Sequence, residues 1–350
     1  MDLGVVWFVL VGVLLAGYAV FDGFDLGVGM LYPFLGKSEE DKAVMRLSVG
    51  PVWDGNEVWL LTGGGALFAA FPAVYATVFS GFYIALMLLL FALIFRAGAL
   101  EFRHRDPAWA KFWDWSFFVG SAVPSLLFGV AVGNIIRGVP LTVEGEFIAG
   151  GGDPTFLGNL LVALNPYSIV IGVLGLVWIA LQGSMWLGMK TEGDLYARVA
   201  RVRRGLLVAF AVMIAASTAA TAFLVPDAFA KATGSVFGWL FIVLLIASTA
   251  AAWVFSSRRS DRPAFYGSSG AGAAMVGIWA ASIFPELVPS TGAGEALTIA
   301  NAQSSQLTLT VMLIIAAIGV PLVLFYFFLI YRTYAGRITP AMASDHDGGY

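Results

Sequence analysis

Residues Gly17 to Leu31 read GYAVFDGFDLGVGML. Apart from Asp22 and Asp25, the run is what a membrane span requires. Ionised carboxyl groups are costly in an apolar medium, so two of them in such a run need a reason. They stand three residues apart and therefore share one face of a helix. On a helix that begins at Leu3, Asp22 falls about 28 Å along the axis, toward the far end of a first span. The apolar sequence continues past both to Leu35. Two readings stay open: interfacial acids that cap neighbouring structure, and functional acids inside a helix bundle.

The rest of the chain fits that setting. Its 350 residues are 59% hydrophobic and 12% charged, with a mean hydropathy of +0.87. Soluble domains carry about 25% charged residues, so this is an integral membrane protein. Eleven Trp and 28 Phe suit lipid-facing and interfacial positions. Cysteine is absent, which excludes disulfides and thiolate metal sites. The first residues, MDLGVVWFVL, have no basic n-region and no evident cleavage site, so the first apolar run is expected to remain as a helix. No P-loop is present, which excludes that route to ATP hydrolysis.

A span needs about 20 apolar residues. Nine segments qualify: 3–25, 53–73, 75–95, 116–136, 164–187, 205–224, 235–256, 267–288 and 308–331. Orientation follows from Lys and Arg in the connections. All but two of the 19 basic residues fall in the odd-numbered connections or at the C-terminal end; Arg137 and Lys231 are the exceptions. That asymmetry predicts nine spans, the N-terminus outside and the C-terminus in the cytoplasm. The expected fold is an all-α polytopic membrane protein, with one integral-membrane domain over 1–340. Residues 341–350 form a polar cytoplasmic tail expected to be disordered. Gly23/Gly27 and Gly129/Gly133 have the spacing that lets helices approach closely in lipid.

Polar residues cluster at a second place. Gly50 to Pro72 reads GPVWDGNEVWLLTGGGALFAAFP. Pro51 suits a first helical turn, and Asp54 and Glu57 there suit the helix dipole. Yet Trp53, Asp54, Asn56, Glu57 and Trp59 together exceed what a cap requires. On the orientation above, Asp22, Asp25, Asp54 and Glu57 converge at one membrane face and form a candidate proton path. Weaker points are Arg96, at the end of the third span; Asp114, in FWDWSFF; and Gln182, which can hydrogen-bond across helices. Ser304 to Leu309, SSQLTL, is expected to cap the last span. The two histidines, His104 and His346, lie outside every span. The chain therefore offers no intramembrane His to a haem, and any redox metal belongs to a partner.

Several of these stretches, in order, carry a resemblance: FDGFDLGVGMLYPFLG, GPVWDGNEVWLLTGGGALFAAFPAVYATVFSGFY, WDWSFFVGSAVPSLLFGVAVGN, NPYSIVIGVLGLVWIALQGSMWLGMKTEGD and SSQLTLTVM. Together they resemble subunit II of cytochrome bd quinol oxidase over nearly the whole chain. The chain is short from about 224 to 235, where longer family members carry an insertion. The resemblance implies two four-helix bundles plus one peripheral helix, in a bacterial plasma membrane. It implies a heterodimer with a subunit I that holds haems b558, b595 and d, while this subunit binds no haem and no metal. The complex would pass electrons from menaquinol or ubiquinol to dioxygen. It would build a potential by drawing protons from the cytoplasm, without pumping. A small single-helix accessory subunit, membrane lipids and a structurally bound quinone are further implied partners; nucleic acid is not.

Carried over residue by residue, Asp54 resembles the family's proton-path carboxylate, with Trp53 beside it, and Asp22 and Asp25 resemble its paired acids. Glu57 and Asn56 belong to the same motif. Trp59 and Arg96 match positions of an oxygen route; Asp114 and Gln182 would support the site. A second class of function remains, an autonomous proton-coupled transporter using the same acids. Such carriers break helices near the midplane. Gly63–Gly65 could be such a break, but the acids gather at one end. A third reading is a scaffold whose acids only make hydrogen bonds to subunit I.

Overall fold

The computed structural model describes residues 2–147, 156–339 and 342. The expected disorder of 341–350 falls, apart from Met342, outside the described residues, as does the Gly-rich stretch around Asp153.

α1 runs Leu3–Leu35, starting where the Asp2 side chain accepts from the Gly4 N–H. Its 33 residues give about 50 Å of helix, well beyond a bilayer core. The expected end at residue 25 is therefore corrected: apolar sequence carries the helix ten residues further, leaving Asp22 and Asp25 in its interior. α2 (Glu39–Val49) is set by a capping box between Ser38 and Asp41. α3 (Trp53–Ala70) stops at Phe71, because Pro72 opens α4 (Pro72–Gly81). α5 is Tyr83–Phe102. The expected span 75–95 is thus divided at Phe82, and its main helix lies seven residues later.

A 3-10 turn, Pro107–Trp109, leads into α6 (Ala110–Arg137). α7 (Phe156–Ala163) precedes α8 (Pro166–Lys190), which starts at an Asn165 cap with Pro at its first position. α9 (Gly193–Leu224) begins well before the expected residue 205. α10 (Pro226–Gly234) occupies the short connection. α11 (Val236–Ser257) and α12 (Asp261–Ile283) pack against each other. A small hairpin follows, β1 (Glu286–Val288) antiparallel to β2 (Leu297–Thr298), where sequence placed the end of a span. α13 (Ile299–Ala302) and α14 (Gln306–Thr333) close the chain, with Ser305 capping α14 as expected.

Among the described residues, seven helical segments are long and apolar enough to cross a membrane: α1, α5, 107–137 with α6, α8, α9, α11 and α14. The remaining two expected spans are helical, as α3 and α12. They fall short for physical reasons. α3 has only 18 residues and starts with Asp54, Asn56 and Glu57. α12 is rich in Gly, Ser and Ala, which pack well and carry little hydropathy.

α8 is the centre, touching α1, α6, α9 and α12. α1 lies against α8, α6 and α3. Close approach comes from glycine: a Cβ on Gly27 would meet Gly183 Cα of α8 at 2.7 Å, and one on Gly129 would meet Gly172 Cα at 2.7 Å. α14 packs on α1 and α3 and otherwise shows apolar side chains outward.

At the end of the bundle opposite α2, residues 138–147 pair with the segment after β1. The Val139 N–H donates to Pro289 O and the Thr291 N–H to Val139 O. A connection read as a loop is thus partly ordered by backbone hydrogen bonds.

A buried carboxyl–arginine cluster as candidate functional site

α1 presents Tyr18, Asp22 and Asp25 to a space also faced by α3, α5 and α14. Arg96, one turn and a half before the end of α5, is fully buried. Its guanidinium meets Asp22 with two nitrogens: Nη1 donates to Oδ2 at 3.0 Å and Nη2 lies 2.7 Å from Oδ1. Nη2 also donates to Glu57 Oε1 at 2.8 Å. This fork geometry is what arginine supplies and lysine cannot.

Asp25, 1% exposed, is held separately. Its Oδ2 accepts from Asn56 Nδ2 at 2.7 Å, and Asn56 Oδ1 accepts from the Tyr331 hydroxyl at 2.8 Å. A chain of two hydrogen bonds thus ties the end of α14 to α1 through α3. One guanidinium contacts two carboxyl groups, with that of Asp25 close by, so each proton bound changes the charge of the cluster. Asp25 Oδ1, Tyr18 Oη, Arg96 Nε and Trp59 Nε1 are buried with no hydrogen-bond partner in the protein. Buried polar atoms in native proteins usually have partners, and here four atoms without one belong to the residues of a single cluster.

The other expected residues divide around this cluster. Asp54 is exposed and accepts from the Gly55 N–H at 2.7 Å. It stands one turn before Glu57, near enough for its charge to be felt there. It is therefore the outer member of the acid group and not a buried one. Trp53 is half-buried against the main core. Trp59 stacks on Phe21 at 5.4 Å between centroids and meets Phe327 edge-on at 5.7 Å. Its ring also fills the space beside Gly17.

Asp114 belongs to a different network. It accepts from Arg103 Nε and Lys42 Nζ, both at 2.7 Å, and Arg103 also reaches Glu39 at 2.6 Å. These ties fix α2 to α6 and the end of α5. Partial burial pushes the Glu39 carboxyl up, but its bond to Arg103 and the nearby Lys42 outweigh this and hold it below the usual range. Gln182 bridges helices as expected, donating to Ser269 Oγ of α12 at 2.8 Å.

Sequence reasoning missed Tyr331 and Tyr18, because a tyrosine in an apolar run carries no spacing signal that sets it apart from packing residues. It also missed the buried pair Arg203–Asp261, at 2.8 Å between α9 and α12. Arg203 looked like one of several loop charges. Among the described residues no group of three or more His, Cys, Asp or Glu side chains is placed to hold a metal ion.

This arrangement has a clear family. Residues 3–334 match the family described as cytochrome bd terminal oxidase subunit II. The chain belongs to that family. Subunit 2 of the cytochrome bd-I ubiquinol oxidase of Escherichia coli K12 is 36% identical, over 95% of this chain and 94% of its own. Subunit 2 of the Bacillus subtilis cytochrome bd ubiquinol oxidase is 38% identical over 91% of each. A chain in the structure of the Geobacillus thermodenitrificans bd oxidase has the same fold, with a TM-score of 0.75 at 15% identity, covering 95% of this chain and 99% of that one. As a bd-type subunit II, the chain is a multi-pass protein of the bacterial plasma membrane and part of a terminal oxidase complex.

Proposed function

We propose that this chain is the haem-free subunit II of a bd-type quinol oxidase, and that its buried acid cluster carries protons toward the haem-bearing subunit I. The reading rests on one observation, the assembly of Asp22, Asp25, Glu57 and Arg96 inside a membrane helix bundle. Intramembrane acids are functional by default, and a group able to change protonation state suits a relay. Asp54, exposed one turn from Glu57, is the link between the cluster and the subunit interface. Trp59 and Arg96 line an oxygen route. Tyr18, Asp25 and Arg96 supply the unpaired polar atoms on which water can complete a path.

His104 sits in the turn after α5 and shares a hydrogen bond with Arg105, so it does not fit an axial haem ligand buried in a span. The haems and the oxygen chemistry are therefore assigned to subunit I, and the quinol oxidised there is menaquinol or ubiquinol. α3, short, and α12, rich in small residues, also cross the membrane, completing nine spans in one membrane domain. The two four-helix sets meet along α1, α6 and α8, with α14 peripheral and the N-terminus outside. A proton-coupled transporter is the alternative, and it is disfavoured because α1, α3 and α5 run as continuous helix through Asp22, Asp25, Glu57 and Arg96.

The test is purification of the tagged chain from its own membranes with a reduced-minus-oxidised optical spectrum. A larger co-purifying subunit with b- and d-type haem bands is expected. A lone colourless chain from cells that also express subunit I would overturn the assignment.

A further inference from the structure

A cavity of about 180 Å3 lies where α2 runs into α3 and the ends of α8 and α14 meet. Ser48, Val52, Trp186, Lys190, Tyr331 and Arg337 stand in its wall. Lys190, the last residue of α8, is only 7% exposed. Its ammonium donates to Tyr334 O at 2.5 Å and lies 4.8 Å from the centre of the Trp186 ring. These contacts satisfy part of its hydrogen-bonding capacity, and the ring face offsets part of its charge, but neither supplies a counter-ion. Among the described residues no carboxylate pairs with it. Asp261 is already bound to Arg203 at 2.8 Å, with Arg337 at 3.7 Å. Arg262 adds a further positive charge felt at Lys190.

A buried ammonium without a counter-charge is costly. A neighbouring cavity lined by a second cation offers the remedy. The volume equals roughly six waters at about 30 Å3 each, enough for a phosphate group but not for a whole lipid. The Ile338 N–H donates to Lys190 O at 2.8 Å, which keeps Arg337 at the rim.

We propose that this cavity is an anion site for a phosphate group, with Lys190 as its inner charge and Arg337 at its mouth. The phosphate is that of an anionic phospholipid headgroup or of free inorganic phosphate; a lysine ammonium binds either as a point charge. Neither the acid cluster nor the proton path is part of this proposal.

The experiment uses the chain in its native complex, stripped of lipid in a neutral detergent. The thermal unfolding midpoint is followed while inorganic phosphate, phosphatidylglycerol or phosphatidylcholine is titrated, with chloride matching ionic strength. Phosphatidylglycerol is expected to raise the midpoint and phosphatidylcholine to leave it unchanged. A rise with inorganic phosphate alone identifies the free anion as sufficient; a rise only with phosphatidylglycerol identifies the headgroup. Lys190→Met should weaken half-saturation at least tenfold, and Lys190→Arg should retain it. If Lys190→Met does not assemble, Arg337→Gln, at an exposed position, should weaken half-saturation severalfold. No stabilisation by either anion, or equal stabilisation in Lys190→Arg, Lys190→Met and Arg337→Gln, would overturn the site.

Discussion

Arg96 and Asp22 form a two-point ion pair in which both side chains are fully buried, 3.0 and 2.7 Å apart at their two contacts. The pair joins α5 to α1, and Glu57 on the same guanidinium adds α3. Removing one partner of such a pair leaves a buried charge uncompensated, at about 3–5 kcal/mol. Arg96→Met should therefore lower the unfolding temperature of the purified complex sharply. Arg96→Lys should restore part of it, since a point charge cannot reproduce the fork. A midpoint in Arg96→Met equal to wild type would show that the pair adds nothing to stability.

Tyr331 reaches Asp25 by hydrogen bonds through Asn56. Tyr331→Phe removes the donor to Asn56 Oδ1, leaving a buried acceptor unsatisfied at about 1–3 kcal/mol. The expected outcome is a modest drop in stability together with a shifted pH profile of turnover, because Asp25 loses the group that orients its partner. A stability loss with an unshifted profile would make Tyr331 a packing residue.

Trp59 fills the space beside Gly17 and rests on Phe21. Trp59→Ala opens that space. Oxygen binding to the reduced enzyme after flash photolysis should change in rate if the route passes here. Kinetics identical to wild type would remove Trp59 from it.

Gly27 and Gly183 bring α1 and α8 into backbone contact. Gly27→Leu forces side-chain atoms into α8, and overpacking of this kind costs about 1–3 kcal/mol or more. Gly64→Ala, where nothing lies within 4 Å, is the control. The yield of assembled complex should fall for the first and hold for the second.

Much of this was legible in the residues. Asp22, Asp25, Asn56 and Glu57 stand out because polar groups are rare in apolar runs, and their spacing places them on helix faces. Arg96 was visible only as a charge at a span end, which fits a positive-inside anchor as well as a buried partner. Its burial depends on α6 packing along α5 and on α1 and α3 bringing Asp22 and Glu57 to it, tertiary facts with no local signal. Tyr331 lies 275 residues from its partner Asn56, and no spacing rule reaches that far. The span boundaries erred for a different reason. Hydropathy ends a helix where polarity begins, whereas α9 is already helical through the charged residues 193–204; α1 runs on past its two acids through a further apolar stretch; and α3 and α12 are poor in hydropathy because their residues are polar or small.

The central claim is that the buried acids deliver protons. The most direct measurement is quinol-driven oxygen consumption by Asp25→Asn and Asp54→Asn enzymes with haem content recorded on the same preparations. Asparagine keeps the shape and much of the hydrogen bonding but carries no exchangeable acid. Turnover should fall by about tenfold or more, as for loss of a proton-transfer group, with the haem bands intact. Full turnover in both variants would contradict the account and leave the acids as structural ties.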